Sequence, residues 1–467
     1  MKKKKCVIIT SYFSGESYGL LGPQMAAAVI EEYTPYECLV LALDKKDDKT
    51  QVKKALADYF HRDRPVIAFS SLSGREDLFN LAGELKAEGA LTILAGPQAD
   101  VDFRGEKGWK KHPHRFAGVS RLFSLALWGP AEQTVFLLNH LDHPDYLLTP
   151  GLLYANKQGM VVQNPRLAWD SHFLRKVCWE GIYRPGESGL YELPISTAQV
   201  LQQIGCPHAA KGKEIEVDYP AFLSESQTPK IRLKVKGCSF CDVAVDKGFH
   251  GLLDQETVLA QIQGLPELED QRKIPFELIN ENPLPGLPRL LSVLREKEIS
   301  ISQINLTLRA DGLVKNRERL EQALGLARAM RVRILAASIG FESFDDPILQ
   351  NLHKGVDSST NLKAIQIMRR LKERFPFQWG YSRQEGAVHG FIHPTPWDTP
   401  ESESKIGQVI KENNLDRDIL PPHSTPLIIH HASCLGDWIR TIEIRENICF
   451  QRYVSTIGWW PEAIVGC

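Results

Sequence analysis

Three cysteines of this chain have the type and spacing that metal chemistry needs. Cys238 and Cys241 form a C-x-x-C pair behind Gly237, and Cys206 stands in a separate Gly-Cys-Pro turn, with 31 residues between it and Cys238. Two thiolates two residues apart can bind one metal centre, and a third from another turn would leave one iron of a four-iron cluster open for a ligand. A zinc site or a redox dithiol are the alternatives for the pair.

A series of strand and helix patterns from about residue 195 must position these cysteines. Apolar strands at 275–279, 304–308, 334–339 and 386–392 alternate with helical patterns, which predicts a full or partial barrel. Polar residues follow the strands and should face one mouth, onto which the cysteines would also open; they are Asn280, Glu281, Arg309, Asp311, Glu342 and His393. Because the C-x-x-C pair belongs to this long series of βα units, a metal cluster is favoured over a redox dithiol.

Residues 6 to about 140 predict a different sheet. Five apolar strands alternate with helices, which indicates a doubly wound parallel sheet covered on both faces. Ligands of such sheets bind at the carboxyl ends of the strands. The residues there include Ser70, Ser71, Gly96 and Gly129. Any one of them alone is typical of an ordinary turn, but together they favour a ligand with a large flat face.

The whole chain is predicted to be an α/β protein of four segments. A Rossmann-like domain spans 1–145, a connector with short strands 146–195, a partial (β/α) barrel with an insert at 207–237 spans 196–412, and a small C-terminal capping region spans 413–467. The net charge of −1 gives no basic field for nucleic acid. No apolar stretch is long enough for a membrane span. Nine scattered cysteines without an export signal predict reduced thiols and a cytoplasmic location.

At these motifs the second half resembles the radical S-adenosylmethionine (SAM) enzymes, and the whole chain resembles their cobalamin-binding branch. The resemblance rests on the fragments at 237–242, 338–344, 352–355 and 391–397. The usual C-x-x-x-C-x-x-C cluster motif looks split here: Gly205-Cys-Pro is similar to its first half and Gly237-Cys-Ser-Phe-Cys241 to its second. A stretch of nearly thirty residues lies between the halves.

The resemblance implies a [4Fe-4S] cluster on Cys206, Cys238 and Cys241, with SAM chelating the open iron. Cys178 or a cysteine of the tail is the alternative third ligand. On the family pattern Glu342 is a SAM contact, although a loop ion pair is the plain alternative. The other candidate SAM contacts, for which both interpretations stay open, are Asn280, Glu281, Arg309 and Asp311.

The resemblance also implies cobalamin on the N-terminal domain, at the carboxyl ends of its strands. Leu127-Trp-Gly-Pro-Ala-Glu-Gln133 stands where the family often has a Gly-x-Gly-Glu turn. The D-x-H-x-x-G motif is absent, and Asp170-Ser-His172 is its nearest fragment, so no histidine of that motif should reach cobalt. A domain that has lost cobalamin is the alternative. The implied cobalamin contacts are Ser70, Ser71, Leu72, Gly96, Pro97, Gly129 and Glu132.

The function implied first is a cobalamin-dependent radical SAM methyltransferase that acts on an unactivated carbon through a 5′-deoxyadenosyl radical. A radical SAM enzyme that uses cobalamin without net methylation, in ring contraction or cyclisation, is the second hypothesis. A metal-bearing scaffold without turnover is the third. The expected partners are a small-molecule or peptide substrate and an electron donor such as flavodoxin or ferredoxin.

Overall fold

The computed structural model describes residues 3–13, 20–70, 74–96, 99–187, 189–224, 230–241 and 249–466. The chain divides into two compact units. Unit 1 comprises residues 1–198, 254–265 and 452–456, and unit 2 comprises residues 199–253, 266–451 and 457–467.

Unit 1 is built on a nine-stranded sheet with the order β7-β6-β5-β4-β3-β1-β2-β8-β9. Its elements in chain order are β1 Lys4–Ser11, α1 Leu21–Tyr33, β2 Tyr36–Leu43, α2 Lys49–Phe60, β3 Val66–Ser70, α3 Glu76–Ala87, β4 Leu91–Ala95, α4 Ala99–Arg104, β5 Leu125–Leu127, α5 Gln133–Asn139, β6 Leu152–Ala155, β7 Val161–Gln163, β8 Ile182–Gly186 and β9 Gly189–Glu192. The six central strands, β5, β4, β3, β1, β2 and β8, pair in parallel. Antiparallel strands extend both edges of the sheet, β6 and β7 beside β5 and β9 beside β8.

Alternating side chains of the strands pack on both faces of this sheet. Val7 and Ile9 of β1 belong to a core with Leu56 of α2 and Phe79 of α3. Ile8 points to the other face, where it lines a small apolar cavity of about 40 Å³ together with residues of α1 and α5. Helices on both faces bury the apolar strands from water, which confirms the doubly wound α/β prediction. The short strands predicted at 151–162 are present as β6 and β7 and lie within this sheet.

Unit 2 contains a second, mostly parallel sheet with the order β10-β15-β16-β17-β18, and β19 also pairs with β17. From residue 198 to the end of the chain the elements are β10 Ala198–Leu201, β11 Gln203–Gly205, β12 Gly212–Val217, β13 Ile231–Lys236, β14 Phe249–Leu252, α6 Gln255–Gln263, β15 Phe276–Ile279, α7 Leu287–Glu296, β16 Gln303–Leu308, α8 Ala310–Lys315, α9 Arg317–Met330, β17 Arg333–Glu342, α10 Asp346–Asn351, α11 Ser358–Arg374, β18 Trp379–Gly380, β19 Gly390–Phe391, α12 Pro400–Asn413, α13 Leu415–Asp418, β20 Ile429–His430, α14 Cys434–Glu446, β21 Cys449–Phe450, β22 Arg452–Tyr453, β23 Thr456–Ile457 and β24 Ile464–Val465.

The βα series of unit 2 forms the predicted partial barrel. The apolar residues of its helices recur at helical spacing and form one buried face. In α7 these residues are Leu287, Leu290, Leu291 and Leu294. The strand predicted at 386–392 is much shorter, because Gly386 has a φ of 95° and only Gly390–Phe391 pairs with β17. No described helix has both the length and the apolar character to cross a membrane.

The insert between the two halves of the cysteine motif is a β-hairpin. Strands β12 and β13 pair antiparallel from Gly212 opposite Lys236 to Val217 opposite Ile231. Strand β13 therefore pairs within this hairpin, and β10 is the strand of the barrel sheet that precedes the cysteines. The buried face of the hairpin packs on α14, with Leu233 and Val235 in one core with Trp438 and Ile439.

Candidate radical SAM site

Cys238 and Cys241 lie in one tight turn directly after the insert hairpin. The backbone N–H of Cys241 donates to the carbonyl of Cys238 at 3.2 Å, and Gly237 before them has a φ of 76°, which favours glycine. Between the cysteines, the fully buried Ser239 donates its hydroxyl to the Asn351 carbonyl at 2.7 Å. Its backbone N–H donates to the Leu352 carbonyl at 2.9 Å. The turn is thus fixed while both thiols stay half-buried.

Cys206 lies in the separate turn that follows β10 and β11. Gly205 has a φ of 79°, and the N–H of Ala209 donates to the Cys206 carbonyl at 2.9 Å. Burial raises the pKa of the Cys206 thiol, the charges of Glu281 and Cys238 act in the same direction, and the His208 backbone and Arg309 oppose them. Both halves of the split motif belong to unit 2.

The segment from Leu352 to Gly355 contacts both cysteine turns. His353 donates from Nδ1 to the Gly237 carbonyl at 2.7 Å, and His208 donates from Nε2 to the His353 carbonyl at 3.1 Å. The two imidazole rings stack with centroids 5.4 Å apart. A Cβ atom on Gly355 would lie 3.1 Å from Cε1 of His208, so the close approach requires glycine. This segment holds together the two turns that the insert separates along the chain.

Arg309, at the carboxyl end of β16, is the cation next to the cysteine turn. Its Nη1 lies 3.9 Å from the Sγ atom of Cys238, and its Nη2 donates to the Lys354 carbonyl. Its Nε forms an ion pair with Asp311 at 3.1 Å. Burial raises the pKa of the Asp311 carboxyl, but Arg309 and Lys315 lower it by more, so Asp311 is ionised. The guanidinium therefore has a fixed orientation beside the Cys238 thiol.

Glu342 ends β17 as one partner of a buried ion pair. Its Oε1 lies 2.8 Å from Nζ of Lys354, and the side chains are 11% and 9% exposed. Burial lowers the pKa of Lys354, but the charges of Glu342 and Cys238 outweigh it and raise the pKa above the usual value. A Cβ atom on Gly340 would lie 2.3 Å from Glu342 Oε1, and one on Gly390 would lie 2.8 Å from Oε2. Two glycines thus make room for the carboxylate.

Asn280 and Glu281 follow β15 and differ in their surroundings. Asn280 is buried, donates to Gln202 Oε1 at 2.7 Å and accepts the N–H of Asn282 at 2.8 Å. Glu281 is exposed, and its charge acts on Cys206. The strand-end residues predicted from the sequence therefore lie along one edge of the sheet. Sequence reasoning gave no role to Gln202, His208 or Lys354, although Lys354 lies in a fragment that carried the resemblance.

A second cysteine, Cys434, competes with Cys206 for the position of third ligand. It begins α14 and lines a cavity of about 560 Å³ together with Cys238 and Cys241. Burial, followed by the charge of Asp437, raises its pKa to about 12. Its Sγ donates to the Lys234 carbonyl at 3.6 Å. Cys434 therefore faces the insert hairpin as a protonated thiol. Burial raises the pKa of Cys206 as well, so the pKa does not distinguish the two candidates.

The thiols have the donor chemistry of a three-cysteine cluster site, but they do not converge. Within the described ranges, no three His, Cys, Asp or Glu side chains are grouped closely enough to hold a metal ion. The segment that follows Cys241, residues 242–248, lies outside those ranges. Cys178 belongs to unit 1 and donates to the Glu180 carbonyl at 3.5 Å. Cys449 is disulfide-bonded, so the expectation of reduced thiols does not hold for it.

The strand ends of unit 1 have small residues at β3 and β4. Ser70 ends β3, and Gly96 follows β4 with a φ of 102°; a Cβ atom on Gly96 would lie 3.4 Å from Ser70 Oγ. The other candidates near these two strands, Ser71, Leu72 and Pro97, fall outside the described residues. Since no bulky side chain stands on Ser70 or Gly96, this part of the edge fits a flat ligand.

The end of β5 is covered by the segment at 166–170. The Arg166 guanidinium stacks 4.6 Å from the Trp128 ring centroid, and a Cβ atom on Gly129 would lie 3.2 Å from the Arg166 side chain. Glu132 accepts the backbone N–H of Asp170 at 3.2 Å with Oε1, while its buried Oε2 has no hydrogen-bond partner among the described residues. Burial raises the pKa of Glu132. His172, in the fragment nearest to the missing motif, lies 3.2 Å from the Tyr33 hydroxyl.

Comparison with known proteins gives a structural match. No family model matches the chain, and no curated protein matches it. Among solved structures, the chain is similar to the cobalamin-dependent S-adenosylmethionine radical enzyme OxsB with aqua-cobalamin and S-adenosylmethionine bound, with a TM-score of 0.58 and 13% sequence identity. The match covers 100% of this chain but 64% of the OxsB chain. At this identity the likeness shows a shared fold, the one predicted from the motifs.

Proposed function

We propose that this chain is a cobalamin-dependent radical SAM enzyme, and that it methylates an unactivated carbon atom of a small-molecule or peptide substrate. The observation that carries the proposal is that the Cys206 turn and the Cys238–Cys241 turn both hydrogen-bond to His353 of the Leu352–Gly355 segment, next to the Glu342–Lys354 ion pair. The fold shared with a cobalamin-dependent radical SAM enzyme supports it.

In this proposal Cys206, Cys238 and Cys241 hold a [4Fe-4S] cluster. When bound, such a cluster supplies the electron that splits SAM into methionine and a 5′-deoxyadenosyl radical. Arg309 lies 3.9 Å from the Cys238 sulfur, and the buried Lys354 ammonium also interacts with that thiol electrostatically. Iron binds cysteine as thiolate, and Arg309 places a positive charge beside the Cys238 sulfur that would carry the negative charge.

The candidate SAM contacts have complementary charges for an amino acid group. Glu342 and Asp311 are carboxylates, Arg309 is a cation, and Asn280 is a neutral amide at the same strand edge. We assign Glu342 and Asp311 to cationic or donor groups of SAM and Arg309 to its carboxylate. Glu281, beside Cys206, is the fifth candidate contact. The ion pair of Glu342 with Lys354 and the ion pair of Arg309 with Asp311 orient these side chains before a ligand binds.

The assignment of cobalamin to unit 1 rests on the strand ends at Ser70 and Gly96, the first with a small side chain and the second with none. Gly129 and Glu132 are included as proposed contacts, together with Ser71, Leu72 and Pro97. Because Arg166 covers Gly129, a flat ligand would extend from β4 toward β3 and β1 unless that side chain turns away.

Anaerobic reconstitution tests the proposal. The purified chain is loaded with iron and sulfide, with and without cobalamin, then reduced with dithionite in the presence of SAM. We expect bound iron, an absorption spectrum altered by bound cobalamin, and 5′-deoxyadenosine as a product. Full iron loading without 5′-deoxyadenosine would reject a radical SAM enzyme. Production of 5′-deoxyadenosine with no methylated product from any accepted substrate would reject the methyltransferase.

A further inference from the structure

The insert hairpin carries its charges unevenly. At the end far from the cysteines, Arg232 pairs with Glu216 at 2.9 Å and Lys230 pairs with Asp218 at 3.0 Å. The other end carries four exposed lysines, Lys211, Lys213, Lys234 and Lys236.

The lysine end of the hairpin is strongly positive. Among the described acidic residues of the hairpin, Glu214 alone lies at this end, opposite Lys234 in the β12–β13 register. None of these four lysines has an ion-pair partner within the part of the chain that the structure describes. We call Lys211, Lys213, Lys234 and Lys236 the basic rim.

The basic rim borders the opening to the cysteine turn. Lys213, Lys234 and Lys236 line the same cavity of about 560 Å³ as Cys238 and Cys241. Solvent therefore reaches the two thiols past a positively charged border. The far side of this cavity is formed by the start of α14, where Asp437 is paired with Arg440 at 2.9 Å.

We propose that the basic rim is the docking surface for an acidic one-electron carrier protein. The inference rests on the proposed function, because a cluster on Cys238 and Cys241 must receive an electron from outside. A reduced carrier bound here would lose one electron, which a cluster held by Cys238 and Cys241 would gain, with no bond made or broken. Unpaired lysines attract an acidic partner over about 8 Å at physiological salt, and transient redox encounters need only small, charged interfaces.

The test compares two double variants of the hairpin, each of which reverses two positive charges. Lys234→Glu/Lys236→Glu changes the basic rim, and Lys230→Glu/Arg232→Glu makes the same charge change at the paired end of the same hairpin. Binding of a recombinant flavodoxin to each reconstituted protein is measured by surface plasmon resonance at low and high salt. SAM cleavage is measured with reduced flavodoxin and, separately, with dithionite.

We expect the rim variant to bind flavodoxin roughly tenfold or more weakly than wild type at low salt, with the difference shrinking at high salt. Its cleavage of SAM with flavodoxin should slow, while its cleavage with dithionite stays at the wild-type rate. The paired-end variant should behave as wild type in both measurements.

Three results would contradict these expectations, and each has a different consequence. Equal flavodoxin binding by the two variants would overturn the docking surface and leave the proposed function intact. Loss of dithionite-driven cleavage in the rim variant would assign the lysines to a substrate or SAM site, and it too would overturn the docking surface. Wild-type protein that binds iron but cleaves no SAM with dithionite would reject the proposed function itself, and the docking inference with it.

Discussion

At the residue scale, the site is defined by charges held close together away from water. Lys354 pairs with Glu342, its backbone carbonyl accepts from Arg309, and its ammonium interacts with Cys238. A buried charge is stable only when paired, so removing one member affects the others. Lys354 therefore connects the candidate SAM carboxylate to the cysteine turn.

Replacing Lys354 by Met is expected to destabilise unit 2 by about 3 kcal/mol, because the Glu342 carboxylate is left buried without its counter-ion. The double variant Lys354→Met/Glu342→Gln should recover much of the loss, since the second change removes the stranded charge. Urea unfolding of the wild type, both single variants and the double variant measures this coupling. Additive effects of the two changes would contradict the ion pair.

His389 gives a pH dependence with a defined sign. Its buried ring accepts the Ile339 N–H at 3.0 Å and donates to the Tyr381 carbonyl at 2.7 Å, and burial lowers its pKa from 6.5 to about 4. Between these two values the unfolded chain binds a proton that the folded chain does not. The contribution of His389 to stability is therefore complete above about pH 6.5 and is lost as the pH falls toward 4.

We expect the wild type to lose roughly 2–3 kcal/mol more stability than His389→Gln between pH 7.5 and pH 4.5. Thermal unfolding midpoints of the two proteins across this range measure the difference. Parallel curves for the two proteins would show that His389 is not the group that titrates.

At the scale of elements, strand β17 carries the candidate SAM carboxylate and needs glycine at two places to do so. Gly340 on β17 and Gly390 on β19 face each other, since a Cβ on Gly390 would lie 3.2 Å from the Gly340 Cα. Glu342 fills the space that their missing side chains leave, and its own φ of 61° turns the chain at the strand end.

Gly340→Ala is expected to displace Glu342 and Lys354, because its Cβ would lie 2.3 Å from one carboxylate oxygen and 2.5 Å from the ammonium nitrogen. SAM affinity, measured by calorimetry, should fall at least tenfold, and the unfolding midpoint should fall. Gly407→Ala in α12 is the control, since its Cβ meets nothing within 4 Å and alanine stabilises a helix by roughly 0.5–1 kcal/mol. Wild-type SAM binding by Gly340→Ala would exclude Glu342 as a contact.

At the scale of the whole molecule, local patterns in the sequence predict most of the strands and helices. Helix Arg317–Met330 and helix Gln255–Gln263 belong to the predicted alternation of strands and helices, because apolar spacing and terminal residues act within a few residues. The polar strand ends also follow from local pattern, since each comes directly after an apolar run.

Features made by distant pairing were not predictable in the same way. Strand β13 lies in the series predicted to form a barrel but pairs with β12. Strand β8 pairs with β2, although nearly 140 residues separate the two strands in the sequence. The contact of His353 with Gly237, 116 residues away, gives no local signal either. The pairing partner of a strand and its register depend on which buried faces pack together. The apolar pattern of one strand does not contain this information.

Cys206 is proposed to complete a cluster with Cys238 and Cys241 despite the hairpin between them. The most direct measurement compares Cys206→Ala with Cys434→Ala after anaerobic reconstitution, with iron content and Mössbauer spectra read beside 5′-deoxyadenosine formation. We predict that Cys434→Ala keeps a four-iron cluster that cleaves SAM, and that Cys206→Ala loses both. A Cys206→Ala protein that keeps its four-iron cluster and its SAM cleavage would contradict the claim.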